Sequence, residues 1–467
     1  MSGRSRIMNK KERFFSPDFI FGVATSAPQI EGAAHEDGKG DSIWDAFARR
    51  QNVIADGTTP EEACDFYHRY KEDIGIAREM GVDSLRFSFS WSRIFPEGYG
   101  KINQKGLDFY SRMLEELHKN DIMPNATIYH WDLPQALEEA GGWTNRETVK
   151  RYGEYAELLF RKFGDQIPMW STVNEPIATY VGYADGIFAP GHQSEAMGRQ
   201  ANHNILLAHG TGVQAFRAQN LKNSKIGIVV DIWNHHPYRK DHPEDCALAE
   251  LNNEKTYRSY LNPVFKGCYT DFLMDYMRKN NCMPEIWPGD MELINAPIDY
   301  FGLNCYNMVI DCADSAFVAE NQKKQKKGGN FQDNDREYYP KAVYDAVHIL
   351  KNDYQAEVPI YITENGMKGR YERIAEDGYI HDTDRIAYIK GFLYWISRAI
   401  EEGNDIRGYY VWSLTDNWEW NSGFSSRYGL THIDYDTQKR TVKDSGYWYK
   451  ELIKNRKLVL TEEGSYE

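Results

Sequence analysis

The chain has 467 residues, of which 41% are hydrophobic and 27% are charged, a composition that supports a packed core and excludes global disorder. The 69 acidic residues outnumber the 55 Lys and Arg residues and give a net charge of −14, so neither a nucleic acid nor an anionic membrane surface is expected as a partner. The sequence has no run of 18 apolar residues that would predict a membrane span.

The six cysteines show no CxxC spacing, and a chain of this size does not need disulfides to fold. We therefore expect reduced cysteines and a cytoplasmic location. Residues 1–13 are basic and lack the apolar segment of a secretory signal. We assign residues 1–14 to an N-terminal tail and residues 15–467 to a single domain.

Eight short segments rich in β-branched and aromatic residues predict buried strands. In chain order they are 19–25, 82–89, 122–130, 167–173, 225–231, 299–304, 359–363 and 406–413.

Helical spacing of apolar residues falls between most of these strands. Gly81 stands where the first of the long helices is expected to end, and a capping-box pattern at 144–147 precedes the third. A polar stretch at 321–337, next to a short run of lysines, predicts a surface loop. The predicted helices are 65–80, 106–120, 148–163, 204–219, 341–353 and 384–402.

Strands that alternate with helices form parallel βαβ units, and eight such units close into a (β/α)8 TIM barrel. We therefore predict an α/β fold of this type, with the functional site at the carboxyl ends of the strands. The alternative, a doubly wound sheet, needs a GxGxxG turn after the first strand, and the sequence has none there.

Two glutamates stand at the ends of predicted strands. Glu175 follows the strand at 167–173, and Glu364 follows the strand at 359–363. A carboxylate at this position loses water, which costs free energy unless the charge has a partner or a use. Either acid alone is more typical of a salt-bridged or solvated loop; together, at one end of a barrel, they predict a two-carboxylate catalytic site.

Other chemistries are less well supported by the sequence. His235 and His236 are adjacent, so on a strand their side chains would point to opposite faces, and no Cys/His cluster with metal-ligand spacing is found. We expect no metal and no cofactor. A Ser-His-Asp hydrolase would need a GxSxG turn, which is absent.

Five motifs in the order of one known family carry a resemblance over residues 15–449. Together they resemble the family 1 glycoside hydrolases, chiefly the β-glucosidases. The motifs are Gln29-Ile30-Glu31-Gly32, His130-Trp131-Asp132-Leu133-Pro134, Thr172-Val173-Asn174-Glu175-Pro176, Ile362-Thr363-Glu364-Asn365-Gly366 and Trp418-Glu419-Trp420.

The resemblance implies a retaining β-glycosidase that acts on terminal β-D-glucosides through a covalent glycosyl-enzyme, with galactosides and fucosides as alternative substrates. It implies that Glu364 is the nucleophile and that Glu175 is the acid/base, with a pKa raised by the charge of Glu364. Arg86 and Tyr306 fall where the family stabilises the nucleophile. The implied sugar contacts are Asn174 to the 2-hydroxyl, Gln29, His130, Glu419 and Trp420 to other hydroxyls, and Trp412 as the platform for the sugar ring.

Two alternatives remain open. A 6-phospho-β-glucosidase would carry a small polar residue at Glu419 and a lysine nearby, whereas 421–428 contains Arg427 and no lysine. A non-catalytic glycoside-binding member would be expected to lose a glutamate, and a thioglucosidase would carry Gln at Glu175. Ile177, Pro28 and Cys305 depart from the family pattern; we expect Ile177 to line the leaving-group side and that site to be rather open or unusual.

Overall fold

A computed structural model describes residues 11–314, 316, 338–369 and 372–460. The predicted loop at 321–337 and its lysine run lie outside the described residues. The described strands are β1 Lys11–Phe14, β2 Ile20–Ala24, β3 Ser84–Ser88, β4 Met123–Tyr129, β5 Met169–Asn174, β6 Lys225–Asp231, β7 His235–Pro237, β8 Tyr300–Asn304, β9 Val309–Asp311, β10 Ile360–Asn365, β11 Ile406–Trp412, β12 Thr431–Asp434, β13 Lys439–Val442 and β14 Lys457–Leu460.

The α-helices of the described residues surround these strands. They are α1 Ala27–Ile30, α2 Ile43–Ala48, α3 Phe66–Met80, α4 Trp91–Ile94, α5 Gln104–Lys119, α6 Gln135–Glu139, α7 Arg146–Phe163, α8 Ile177–Tyr180, α9 Glu195–Ala218, α10 Pro243–Lys255, α11 Arg258–Lys266, α12 Asp271–Lys279, α13 Asp290–Ile294, α14 Ala342–Asn352, α15 Thr383–Glu401 and α16 Asp444–Asn455.

Eight parallel strands close into a barrel in the order β10-β11-β2-β3-β4-β5-β6-β8, which confirms the predicted (β/α)8 fold. Each of the eight predicted segments forms one of these strands, with ends that differ by a few residues. Because helices cover the outside and side chains fill the inside, the strands are buried almost throughout.

Two hydrophobic clusters meet at the barrel wall. The larger one fills the layer between strands and helices. The smaller one includes Met169, Tyr300 and Tyr410 on the barrel strands and ends at Trp412 and Tyr428, which border the cavity described below. The packed interior thus supports the floor of that cavity.

The predicted helix starts lie within two residues of the observed ones, with one exception. The helix expected at 204 begins at Glu195, because the Ser194 side chain accepts a hydrogen bond from the Met197 amide and caps it there. The helix expected at 148 begins at Arg146, because Asn145, rather than a capping box built on Thr144, is its N-cap. Gly81 does end α3, with φ +75°.

The first and last described strands form a two-stranded sheet separate from the barrel. Lys11–Phe14, part of the segment assigned to a tail, pairs antiparallel with Lys457–Leu460 as strand β14. In the described residues, no helix combines the length and apolarity needed to cross a membrane. The six cysteines are unpaired.

Candidate active site

A cavity of about 280 Å³ opens at the carboxyl ends of the barrel strands. Seven of the ten predicted site residues line it: Gln29, His130, Tyr306, Glu364, Trp412, Glu419 and Trp420. The remaining lining residues are Trp131, Phe188, Trp233, Asn421, Ser422, Ser426 and Tyr428.

Both oxygens of the Glu364 carboxylate accept a hydrogen bond. Arg86 Nη1 donates to Oε1 at 2.5 Å, and the Tyr306 hydroxyl donates to Oε2 at 2.8 Å. Arg86 is fully buried in the middle of β3, so the ion pair has no competing solvent on the arginine side. Gly366 allows the backbone after Glu364 to pass close to the end of β11, since a Cβ there would lie 1.9 Å from the Trp412 carbonyl oxygen.

Asn174 connects the two glutamates. Arg86 Nη2 donates to Asn174 Oδ1 at 2.7 Å, and Asn304 Nδ2 donates to the same oxygen at 3.2 Å and to Glu175 Oε1 at 2.6 Å. Asn304 is held in turn by the Thr363 hydroxyl, which donates to its Oδ1 at 2.8 Å. One hydrogen-bond network therefore joins Glu175 to Glu364 through Asn304, Asn174 and Arg86, although the two acids are far apart in the sequence.

The pKa of the Glu175 carboxyl lies well above its usual range. The largest cause is removal of the carboxyl from water, followed by the nearby negative charges of Asp231 and then Glu364. The hydrogen bond from Asn304 and the charge of Arg86 act in the opposite direction. The prediction named the charge of Glu364 as the cause of the raised pKa, but burial and the charge of Asp231 contribute more. Asp231 is close enough to act because it ends β6, the strand paired with β5.

The same network fixes the protonation of His130. Because Arg86 can only donate, the oxygen of the Asn174 amide faces the guanidinium, and Nδ2 therefore donates to His130 Nε2 at 3.1 Å. Burial lowers the pKa of His130 well below its usual range, with a smaller effect from the charge of Arg86. The ring is neutral and carries its proton on Nδ1, which has no hydrogen-bond partner among the described residues.

Glu419 is held at the opposite wall. Trp412 Nε1 donates to its Oε1 at 2.9 Å, and Gln29 Nε2 donates to its Oε2 at 3.2 Å. Gln29 also donates to Asn417 Oδ1 at 3.0 Å. The planes of the Trp412 and Trp420 rings lie within 27° and 23° of the His130 ring, so the polar groups are framed by aromatic faces.

Three residues at the cavity have a left-handed backbone that non-glycine residues seldom adopt. They are Trp131 with φ 73°, Glu175 with φ 42° and Trp420 with φ 50°. Such strain is maintained when surrounding contacts fix the conformation, and it clusters at functional sites. Here Trp131 Nε1 donates to the Asn174 carbonyl at 2.8 Å, which ties one strained turn to the next.

The structure brings all ten predicted residues into one region. Arg86 and Asn174 are buried and reach the cavity residues through hydrogen bonds, while Glu175 keeps some exposed surface. Ile177 packs partly buried against the core two residues after Glu175, and its place beside a leaving group stays a prediction. The prediction also missed Asn304, although it ends a predicted strand, and Trp131, although it lies in a quoted motif.

Glu372, Asp416 and His432 are close enough to suggest a cation site, with ligand atoms within 4.8 Å of one another. Lysine and arginine side chains of the protein already neutralise these carboxylates. Lys443 Nζ donates to Asp416 Oδ1 at 2.7 Å and also bonds Glu372, and Arg427 donates to Asp416 Oδ2 at 2.8 Å. This cluster is accounted for as a largely buried ionic network.

A closed parallel barrel with two networked glutamates at the carboxyl ends of its strands has the architecture of an enzyme that cleaves glycosidic bonds with two carboxyl groups. The sequence profile of glycosyl hydrolase family 1 matches residues 11–458. The chain belongs to this family and is a glycoside hydrolase.

Two relatives and one solved structure place it further within the family. Beta-glucosidase A of Acetivibrio thermocellus is 45% identical over 94% of this chain and 98% of its own length. Beta-glucosidase A of Thermotoga maritima is 41% identical over 97% of this chain and 100% of its own. The structure of a Thermotoga maritima beta-glucosidase in complex with glucoimidazole covers 95% of this chain and 99% of its own, at 40% identity and a TM-score of 0.87.

Proposed function

We propose that this protein is a retaining β-glycosidase that hydrolyses terminal, non-reducing β-D-glucosides, with Glu364 as nucleophile and Glu175 as acid/base. The observation that carries the proposal is the single network in which Arg86 and Tyr306 bind the Glu364 carboxylate while Asn304 binds Glu175. One carboxylate is oriented and paired with a cation, and the other holds its proton because its pKa is raised.

Each residue then has a defined step. A carboxylate oxygen of Glu364 forms a bond to the anomeric carbon while the bond to the leaving oxygen breaks, and the Glu175 proton moves to that oxygen. Glu175 is now a carboxylate; it takes a proton from water, whose oxygen attacks the anomeric carbon and releases Glu364. Two displacements return the sugar to its starting β configuration.

The polar groups of the cavity suit a neutral sugar. Asn174 Nδ2 has a second proton that can donate to a hydroxyl, the His130 ring lines the cavity, and Glu419 can accept hydrogen bonds from two hydroxyls. Trp412 would support the ring and Trp420 would donate from its indole nitrogen. These side chains are held by the contacts described above before any ligand binds, which lowers the entropy cost of binding.

A 6-phospho-β-glucosidase is less well supported. The described lining residues include the carboxyls of Glu364 and Glu419 and no Lys or Arg. Arg427 is engaged by Asp416 and by the Ile433 carbonyl. A phosphate dianion would therefore meet repulsion without a compensating cation. The names of the relatives and the glucoimidazole bound to the Thermotoga maritima enzyme favour glucose. We propose galactosides and fucosides as further substrates on the resemblance alone.

The cellular location is also a proposal. The six cysteines are unpaired, although some lie partly exposed at the surface. Unpaired thiols persist where the surroundings are reducing, which favours the cytoplasm.

The deciding experiment is a panel of p-nitrophenyl β-glycosides with and without a 6-phosphate. We expect the glucoside to have the highest kcat/KM and the 6-phosphoglucoside to be at least about 100-fold poorer. Proton NMR of the first product should show β-glucose before mutarotation. A preference for the phosphorylated sugar would establish the alternative; no turnover of any glycoside by folded protein would favour a non-catalytic member; an α-anomer as first product would exclude retention.

A further inference from the structure

A second, much smaller cavity lies between the loops that follow β2, β3 and β4. It has a volume of about 10 Å³, close to the least space that one water molecule requires. Pro28, one of the departures from the family pattern, lines it with a ring that offers no hydrogen-bonding group. The polar and charged side chains of the lining are Glu31, Lys39, Ser42, Asp45, Ser90, Arg93 and Asp132.

Two of these side chains have buried atoms without a hydrogen-bond partner of good geometry among the described residues. The atoms are Arg93 Nη1 and both carboxyl oxygens of Asp132. Each residue is 1% exposed, so bulk water does not reach them. The backbone amides of Trp91 and of Asp132 itself are close enough to lower the pKa of Asp132, but they leave its oxygens poorly bonded. An unsatisfied buried group costs about 1–3 kcal/mol, and more if it is charged.

The charges around the cavity determine what kind of molecule can satisfy these atoms. Glu31 and Asp45 already have cations, since Arg93 Nε donates to Glu31 Oε2 and Lys39 Nζ donates to Asp45 Oδ2, each at 2.8 Å. A further cation would meet the N–H of Arg93, and an anion would meet the carboxyl of Asp132. A neutral molecule that both accepts and donates hydrogen bonds satisfies both groups, and water is the one that fits the volume.

We propose that this cavity holds one water molecule that bridges Arg93 Nη1 and the carboxyl of Asp132, and that Asp132 is a positioning residue for the sugar-binding loops. The positioning role rests on the proposed function, whereas the water does not. Arg93 donates to the water oxygen, and the water donates to Asp132. Burial, followed by the charge of Glu31, raises the pKa of Asp132 well above its usual range, and an oxygen of the carboxyl accepts from water in either protonation state.

The bridge joins two loops that carry predicted sugar contacts. Arg93 holds the loop after β2, because its Nη2 donates to the Gly32 carbonyl at 2.9 Å, and Gln29 lies in that loop. Asp132 lies in the loop after β4, two residues after His130. Gln29 and His130 both line the active-site cavity. Loss of the bridge would therefore disturb the position of one sugar contact relative to the other.

A crystal structure of the full chain, at a resolution that shows ordered water, tests the bridge. We expect one water within about 2.7–3.2 Å of Arg93 Nη1 and of an Asp132 oxygen. An unfilled cavity, a direct hydrogen bond between Arg93 Nη1 and Asp132, or a bound ion would overturn the proposal. The measurement needs no variant, so it decides the matter even if a substitution prevents folding.

The positioning role is tested with Asp132→Ala, Asp132→Asn and the control Asp83→Ala. Asp83 pairs with Arg456 just before β3 begins, at the end of the barrel opposite the active site. The probe is glucose as a competitive inhibitor of p-nitrophenyl glucoside hydrolysis, because glucose has no leaving group. Asp132→Ala should raise its Ki about tenfold, and Asp132→Asn, which keeps an acceptor for the water, should stay within about threefold of the wild type. Asp83→Ala should lower Tm and leave the Ki unchanged.

Three results would contradict the positioning role. They are an unchanged Ki in folded Asp132→Ala, equal increases in Asp132→Ala and Asp132→Asn, and an increase in Asp83→Ala as large as that in Asp132→Ala. The first shows no link to the sugar, the second no need for an acceptor, and the third only a general effect of lower stability. In all three the wild-type protein still hydrolyses glucosides, so the proposed function stands.

Discussion

The cavity has a polar side, with Gln29, His130, Trp412 and Glu419, and an aromatic side, with Trp131, Phe188, Trp233 and Tyr306, and the two sides are built on different principles. On the polar side, Gln29, Glu419 and Trp412 bond one another and the neighbouring backbone, so each polar atom has a fixed position before a ligand arrives. On the aromatic side, ring faces make contacts that do not depend on direction to the same degree. The difference implies strict selection of the sugar and graded selection of the leaving group.

Replacing the proposed nucleophile, Glu364, should remove activity on every substrate, whatever its leaving group. Glu364→Gly should lower kcat for every glucoside at least about 10⁴-fold, equivalent to about 5.5 kcal/mol of barrier, since no covalent intermediate forms. Added azide should restore turnover of an activated aryl glucoside and give the α-glucosyl azide, identified by NMR. Glu419→Ala is the matched control: it removes a cavity carboxylate and should not respond to azide. A β-azide from Glu364→Gly would contradict the assignment.

Replacing the acid should expose the chemistry of the leaving group. Glu175→Gln should reduce kcat/KM by about 10²- to 10⁴-fold for a phenyl or methyl glucoside, because those leaving groups need the proton. For a dinitrophenyl glucoside, which leaves without one, the loss should stay below about tenfold. Steady-state kinetics on both substrates measures the ratio. Equal losses would show that Glu175 is not the general acid.

A change on the polar side should affect all substrates equally. Glu419→Gln keeps the side-chain shape but loses charge-assisted hydrogen bonds, each worth about 1.5–3 kcal/mol, so kcat/KM should fall by about 10- to 100-fold. The loss should be the same for naphthyl, phenyl and methyl glucosides, because Glu419 contacts the sugar and not the leaving group. A loss that depends on the leaving group would remove the division between the two sides.

The smallest expected effect is a pH shift. The Asp231 carboxylate raises the pKa of Glu175, so Asp231→Asn should lower that pKa. Glu175 works as an acid in its protonated form, and activity is lost as pH rises through its pKa. The basic limb of the kcat/KM profile should therefore move to lower pH while the plateau changes little. Asp405→Asn, at an exposed ion pair with Arg407, is a control that should leave the limb in place. A limb that stays or moves upward in Asp231→Asn would exclude this role for Asp231.

Much of the site followed from local sequence. Strand composition placed Glu175 and Glu364 at strand ends, and Asn304 and Asp231 could have been found in the same way, since each ends a predicted strand. The start of α9 was missed because its cap is one hydrogen bond that the Met197 amide donates to the Ser194 side chain, which apolar spacing does not report.

Alternating strands and helices, with acids after two of the strands, are local patterns, and for that reason the sequence alone determined the barrel and the pair of carboxyls. The partners of those carboxyls were decided by closure of the barrel, which brings Arg86 to Glu364 across 278 positions in the chain. Closure also sets Asp231 beside Glu175 and aligns Trp233 with Tyr306. No spacing rule links such residues, because their contacts depend on which strands become neighbours and on how the loops between them pack.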